Sequence, residues 1–190
     1  MIAETMIEKR VALREATNYL IQLFYKTGKK YSCTQTKIGK LLSILAFKYA
    51  KSGELLFDEI IYKYPLCCGT LIKDLQFIVR RSVYRRDFRE ADSDKISWIE
   101  RCELNNSAYI PFDYLCVKSL EISLIRDIED VFFRFGAYPT DELGRLLTPI
   151  ADKLVAGTTN VLELSRLVGL KKNDFINASG NKIVEYLYQE

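Results

Sequence analysis

The densest group of chemically capable side chains lies between Arg80 and Arg86, where Arg80, Arg81, Tyr84, Arg85 and Arg86 gather. At the end of a helix, Arg81 and Arg85 would sit one turn apart, as would Arg80 and Tyr84. A like-charge pair at that spacing costs roughly a few tenths of a kcal/mol. Cations near a helix C-terminus recover part of it. Arginine grips carboxylate or phosphate with two parallel hydrogen bonds. Three readings therefore stay open: neutralisation by acidic residues of the same chain, docking of an acidic partner protein, and contact with nucleic acid.

Groups that could perform a reaction are scarce. The chain has no His, which removes the Ser-His-Asp and Cys-His arrangements in their usual forms. Gly-Lys occurs only at Gly28-Lys29 and Gly39-Lys40, without the spacing or the following Ser/Thr of a phosphate-binding loop. Asp58/Glu59 and Glu129/Asp130 are adjacent on expected helices, so each pair diverges and reads as solvated or capping. The five cysteines (Cys33, Cys67, Cys68, Cys102, Cys116) include no C-x-x-C pair. With no signal peptide in view, they predict a reduced, cytoplasmic protein. A zinc site would need thiolates or carboxylates from scattered positions. The expectation is a non-enzyme with no metal and no cofactor.

Charge is unevenly divided although the net value is only +3. Residues 1–90 carry 17 Lys/Arg against 9 Asp/Glu, and residues 91–190 carry 11 against 16. The halves, at +8 and −5, either face and neutralise each other or leave a basic surface for an acidic partner. Hydrophobic residues make up 48% of the chain, enough for one core. No apolar run approaches the ~20 residues of a membrane span, so no membrane is expected.

Helical periodicity dominates. A first helix over 8–27 places Ala12, Ala16, Tyr19, Leu20, Leu23 and Phe24 on one face and stops at Gly28. A second follows Thr34, turns Ile38, Leu41, Leu42, Leu45 and Tyr49 inward, and ends at Ser52-Gly53. Asp58 would cap a short helix over Glu59–Tyr64, which Pro65 closes. Gly69 would open another, with Leu71, Leu75, Ile78, Val79 and Val83 buried, and residues 87–95 read as loop. Ile96–Leu104 and Ala108–Leu115 are the plausible strands, joined by the turn Asn105-Asn106-Ser107. Leu124, Ile128, Val131, Phe132 and Phe135 form one stripe, with Ser119 or Ser123 to cap it and Gly136 to end it. Thr140 would cap the next helix, whose first turn holds Asp141 and Glu142 and whose inner face holds Leu143, Leu146 and Leu147. A tail helix pair over about 160–168 and 182–189 faintly suggests helix-turn-helix. Its second segment is acidic and offers only Lys182 and Gln189, so packing against the core is the better expectation. The fold class is thus mainly α, with a small β-hairpin near residues 96–115.

Residues 36–46, 53–72 and 128–148, three segments taken in order, together resemble the Panacea (SocA-like antitoxin) domain family. Thr36-Lys37-Ile38-Gly39-Lys40-Leu41-Leu42-Ser43-Ile44-Leu45-Ala46 is similar to its "kLqKLlYfa" helix. Gly53-Glu54-Leu55-Leu56-Phe57-Asp58-Glu59-Ile60-Ile61, running on to Gly69-Thr70-Leu71-Ile72, is similar to its "G.pLf.d.i" and "GPVi" stretches. Ile128-Glu129-Asp130-Val131-Phe132-Phe133-Arg134-Phe135-Gly136, then Thr140-Asp141-Glu142-Leu143-Gly144-Arg145-Leu146-Leu147-Thr148, resembles its "id.V...yg..s..eL..lTH". The sequence departs at Thr70, where the family's proline is common, and at Pro149, where its histidine is common. The resemblance implies a Panacea-like helical domain over 1–155, with 156–190 as an extension on the same core. It further implies a cytoplasmic antitoxin that neutralises a toxin protein by binding it, and, by family analogy, a protease-adaptor role. A partner groove is then expected at the turn Tyr64–Gly69, and the expected partner-binding residues are Arg81, Tyr84, Arg85, Gly69 and Thr70. The alternative is a nucleic-acid-binding regulator that uses the basic first half.

Overall fold

The computed structural model describes residues 2–28, 33–57, 60–64, 69–73, 75, 88–90, 109–111 and 120–189. Asp58/Glu59, the arginine-rich cluster at 80–86 and the strand expected over 96–104 lie outside them.

Helix α1 (Ile2–Lys26) starts before the expected residue 8 and buries Leu13, Ala16, Leu20, Ile21, Leu23 and Phe24. It stops where the sequence predicts. The Thr27 hydroxyl donates to the Leu23 carbonyl at 2.7 Å, and Gly28 takes a φ of +73°, which a side chain would resist. Helix α2 (Gln35–Lys51) begins at Thr34, whose hydroxyl accepts the Lys37 amide. Every residue from Lys37 to Phe47 is buried, so α2 is covered on all sides. The expected stripe of Ile38, Leu41, Leu42 and Leu45 is only one side of that burial.

The short helix expected over Glu59–Tyr64 and the opening of the helix expected from Gly69 are instead a hairpin; residues 76–87 of the latter lie outside the described residues. Strands β1 (Ile61–Tyr64) and β2 (Gly69–Ile72) pair antiparallel, Ile61 opposite Ile72 and Tyr64 opposite Gly69. Ile60, Tyr62 and Tyr64 alternate with Ile61 and Lys63, the period-two pattern of a strand rather than a helix. On its other side β1 meets residues 160–162: the Lys63 amide donates to Asn160 at 2.7 Å and the Leu162 amide to Ile61 at 2.8 Å. A second antiparallel pair joins β3 (Phe88–Glu90) to β4 (Tyr109–Pro111). The latter falls inside the strand expected over 108–115, but its partner comes from a stretch expected to be loop.

Helices α3 (Ile122–Phe135) and α4 (Thr140–Leu154) follow the predicted stripes. Leu124, Ile128, Val131, Phe132 and Phe135 are buried on one, Leu143 and Leu147 on the other. Their caps differ from expectation. Glu121 and Pro139 hold the N-cap positions without a side-chain bond, and Thr140 is the first helical residue. Gly136 ends α3 in ordinary right-handed geometry; a Cβ there would meet the Phe132 carbonyl at 2.6 Å. Asp141 and Glu142 occupy the first turn of α4 as predicted.

The tail supplies Leu162, Leu167, Phe175, Ile183, Val184 and Leu187 to the same core as the helices before it. The helix expected over 160–168 is instead a 3-10 turn over Leu164–Gly169. Helix α5 (Lys182–Leu187) is capped by Asn181, whose amide also donates to the Leu146 carbonyl at 2.7 Å and so pins the tail to α4. The overall class, mainly helical with small antiparallel β pairs, is the one the sequence predicts.

Candidate functional site

Gly69 and Thr70, two of the five expected contact residues, come together with α4. Gly69 has a φ of +71°, and a Cβ built on it would meet the Gly144 Cα at 3.0 Å and the Leu147 Cβ at 3.1 Å. Two glycines thus let strand backbone rest directly on helix backbone. Thr70 is fully buried and its hydroxyl has no hydrogen-bond partner among the described residues. Lys63, opposite Thr70, forms an ion pair with Asp152 of α4. Both Gly69 and Thr70 are buried, and they form a joint that seats the hairpin on α4. Arg81, Tyr84 and Arg85, the other three, lie outside the described residues.

What the joint holds outward is the opposite face of the ribbon. Ile60, Tyr62 and Tyr64 recur at every second position, Leu71 stands across from Tyr62, and Val161 is bridged to Tyr62 from the other side. Tyr64 keeps 48% of its surface exposed and Ile60 39%; Tyr62, Leu71 and Val161 are half-buried. This apolar and aromatic face stands on a strand that is hydrogen-bonded along both edges, to β2 and to residues 160–162. Sequence reasoning missed it by reading the segment as helix, although the alternation was there to be seen.

A second cluster gathers on α3. Asp127 accepts the Lys48 ammonium at 2.7 Å and the Tyr49 hydroxyl at 2.9 Å, both from α2. Asp130 accepts the Arg134 guanidinium at 2.7 Å and the Tyr186 hydroxyl of α5 at 2.8 Å. Glu129 accepts the Tyr19 hydroxyl of α1. The Arg134 guanidinium lies 5.2 Å from the centre of the Tyr186 ring, and the Lys51 ammonium 4.6 Å from that of Tyr188. Three tyrosines from three helices thus donate to three carboxylates on one.

The electrostatics follow from these contacts. Burial, then the Glu129 hydrogen bond and charge, push the Tyr19 hydroxyl up to about 12. Burial and carboxylate partners likewise push Tyr49 and Tyr186 upward. Burial alone would raise Asp130, but hydrogen bonds from Arg134 and Tyr186 and the charges of Arg134 and Lys48 hold it below the ordinary carboxylate value. Such groups are held in one protonation state and suit bonding rather than proton transfer. The pair Glu129/Asp130, expected to be solvated or capping, instead ties helices together. Lys48–Asp127 and Lys63–Asp152 also join the basic half to the acidic half, which supports mutual neutralisation for these residues.

Comparison with known proteins adds no relative: no family model, no curated protein and no solved structure matches the chain. Among the described residues there is no group of three or more His, Cys, Asp or Glu placed to hold a metal ion, and no helix long and apolar enough to cross a membrane.

Proposed function

We propose that this chain is an antitoxin-like protein-interaction domain that binds a toxin protein directly and covers its functional surface, without catalysis. The observation that carries the reading is the braced outward face of the hairpin. Ile60, Tyr62 and Tyr64 are displayed at alternate positions on a ribbon seated against α4 through Gly69 and Gly144. Tyrosine and arginine are the residues that most often dominate binding energy at protein interfaces. A rigid platform also loses little entropy on binding. Arg81, Tyr84 and Arg85 follow this ribbon in sequence and are assigned as further anchors, with the arginines directed at carboxylates of the partner. The resemblance in motif order to antitoxin domains supplies the identity of the partner class.

Co-expression with the product of the adjacent gene tests this. The expected outcome is growth rescue and copurification of the two proteins. Tyr64→Ala and the double reversal Arg81→Glu/Arg85→Glu should each weaken the complex at least about tenfold while the far-ultraviolet spectrum stays unchanged. A harmless neighbour that does not copurify sinks the proposal. Binding of duplex nucleic acid that weakens steeply with salt, without any protein partner, would favour a regulator instead.

A further inference from the structure

Helix α3 carries a second stripe on the side away from the core. Ile122, Arg126, Glu129 and Phe133 follow one another at steps of four, three and four, the spacing of a two-helix seam. Ile122 is 71% exposed and Phe133 67%, although the next residue inward, Phe132, is buried edge-on against Phe24. Arg126 is exposed and in no ion pair among the described residues, whereas Arg134 and Arg145 are each paired four residues back along their own helices. Glu129 uses one oxygen for Tyr19 and is in no ion pair among the described residues. Arg126 and Glu129 are three residues apart and still do not pair with each other.

The order of the four residues has a symmetry that matters. Reversed end to end, the stripe reads apolar, acidic, basic, apolar, which is complementary to its forward reading. We infer that the outer face of α3 docks on the same face of a second copy of this chain, the two helices antiparallel about a two-fold axis between Asp127 and Ile128. Ile122 then meets the second copy's Phe133, and Arg126 meets its Glu129, each contact occurring twice. A parallel arrangement would set Arg126 against Arg126 and Glu129 against Glu129, so the charges select the antiparallel one. Isologous pairing of this kind closes on itself and stops at two. The two apolar ends lie about 16 Å apart along the helix, so each dimer has two apolar contacts flanking a central charged pair. A seam of one short helix per chain covers less than a standard interface, and the association is correspondingly weak, micromolar rather than nanomolar.

Sedimentation equilibrium of the full chain across a wide micromolar range tests the assignment. The expected result is a reversible monomer–dimer equilibrium that Phe133→Ser abolishes and Ile122→Ser weakens. Arg126→Glu and Glu129→Arg alone should each weaken the dimer about three- to tenfold, and the combined swap should restore it to within about threefold of the parent. Tyr19→Phe measures separately what loss of the Glu129 hydrogen bond does. Because Ile122, Arg126 and Phe133 are exposed, circular dichroism and urea midpoints of their variants should match the parent. A parent that stays monomeric throughout, a dimer indifferent to Phe133→Ser, or a double swap as weak as its single reversals overturns the inference. So does a monomer whose Arg126→Glu form loses a toxin partner, since the seam would then belong to that partner.

Discussion

Helices α2 and α3 pack as neighbours, yet one is enclosed along eleven consecutive residues and the other keeps apolar side chains in solvent. On α2, the same eleven-residue run that buries Ile38, Leu41 and Leu45 also buries Ile44, Ala46 and Phe47. On α3, burial is confined to the predicted stripe, and the opposite side offers Ile122 and Phe133 to water. A buried apolar residue is explained by its packing. Exposed ones such as Ile122 and Phe133, with Arg126 between them in no ion pair among the described residues, are not, and suggest a neighbouring surface.

The sharpest way to break this contrast is the pair Phe132 and Phe133. Phe132→Ala should cost about 3–5 kcal/mol in urea unfolding, because a buried ring facing Phe24 is lost. Phe133→Ala, one residue away, should lie within about 0.5 kcal/mol of the parent for the dilute monomer. A comparable loss at both would mean that the outer stripe is packed after all. Next comes the enclosed side. Gly69→Ala forces a side chain into left-handed backbone and against Gly144, and should destabilise by about 2–4 kcal/mol. Thr70→Val works in the opposite direction. It keeps the shape and removes a buried hydroxyl that has no partner among the described residues, so the unfolding free energy should rise by about 1 kcal/mol.

The smallest effect concerns the tyrosines that link the two sides. A folded-state value of about 12 for Tyr19 lies above the unfolded value of about 10. The proton is therefore held more tightly in the folded protein. The stability this supplies is complete below pH of about 10 and disappears as pH rises through about 12. Tyr19→Phe should lower stability by about 1 kcal/mol at neutral pH and flatten the decline at alkaline pH, as read from urea midpoints across that range. An unchanged alkaline slope would show that the Glu129 contact carries little weight.

Much of this arrangement was legible in residues acting over short distances. Gly28, Thr34 and the stripe from Leu124 to Phe135 place three helices because stop, cap and period are local signals. The hairpin was lost because Ile61–Tyr64 is four residues long, and an apolar run that short fits strand or helix until its cross-strand neighbour is known. The tail was read only in part: residues 160–168 have helical spacing, yet Leu164–Gly169 forms 3-10 turns, while Lys182–Leu187, equally short, is α-helical behind its Asn181 cap. The tyrosine–carboxylate cluster could not be read at all. Tyr49 and Asp127 are 78 residues apart, and nothing near either one announces the other. Gly69 stood out as the start of a helix and an expected contact; in the structure, what its missing side chain makes room for is Gly144. The outer stripe of α3 stood in plain view at heptad spacing and went unremarked because the inner stripe already accounted for a helix.

The three tyrosine bonds on α3 have a mechanical consequence. Their acceptors project from a single shaft at positions 127, 129 and 130, while the donors stand on three separate supports. Any twist of that shaft about its own axis loosens all three latches together, so it resists torsion far better than any one bond could. Whatever grips its outer side therefore meets a rod locked in rotation, and force applied there passes directly to the helices that hold the latches.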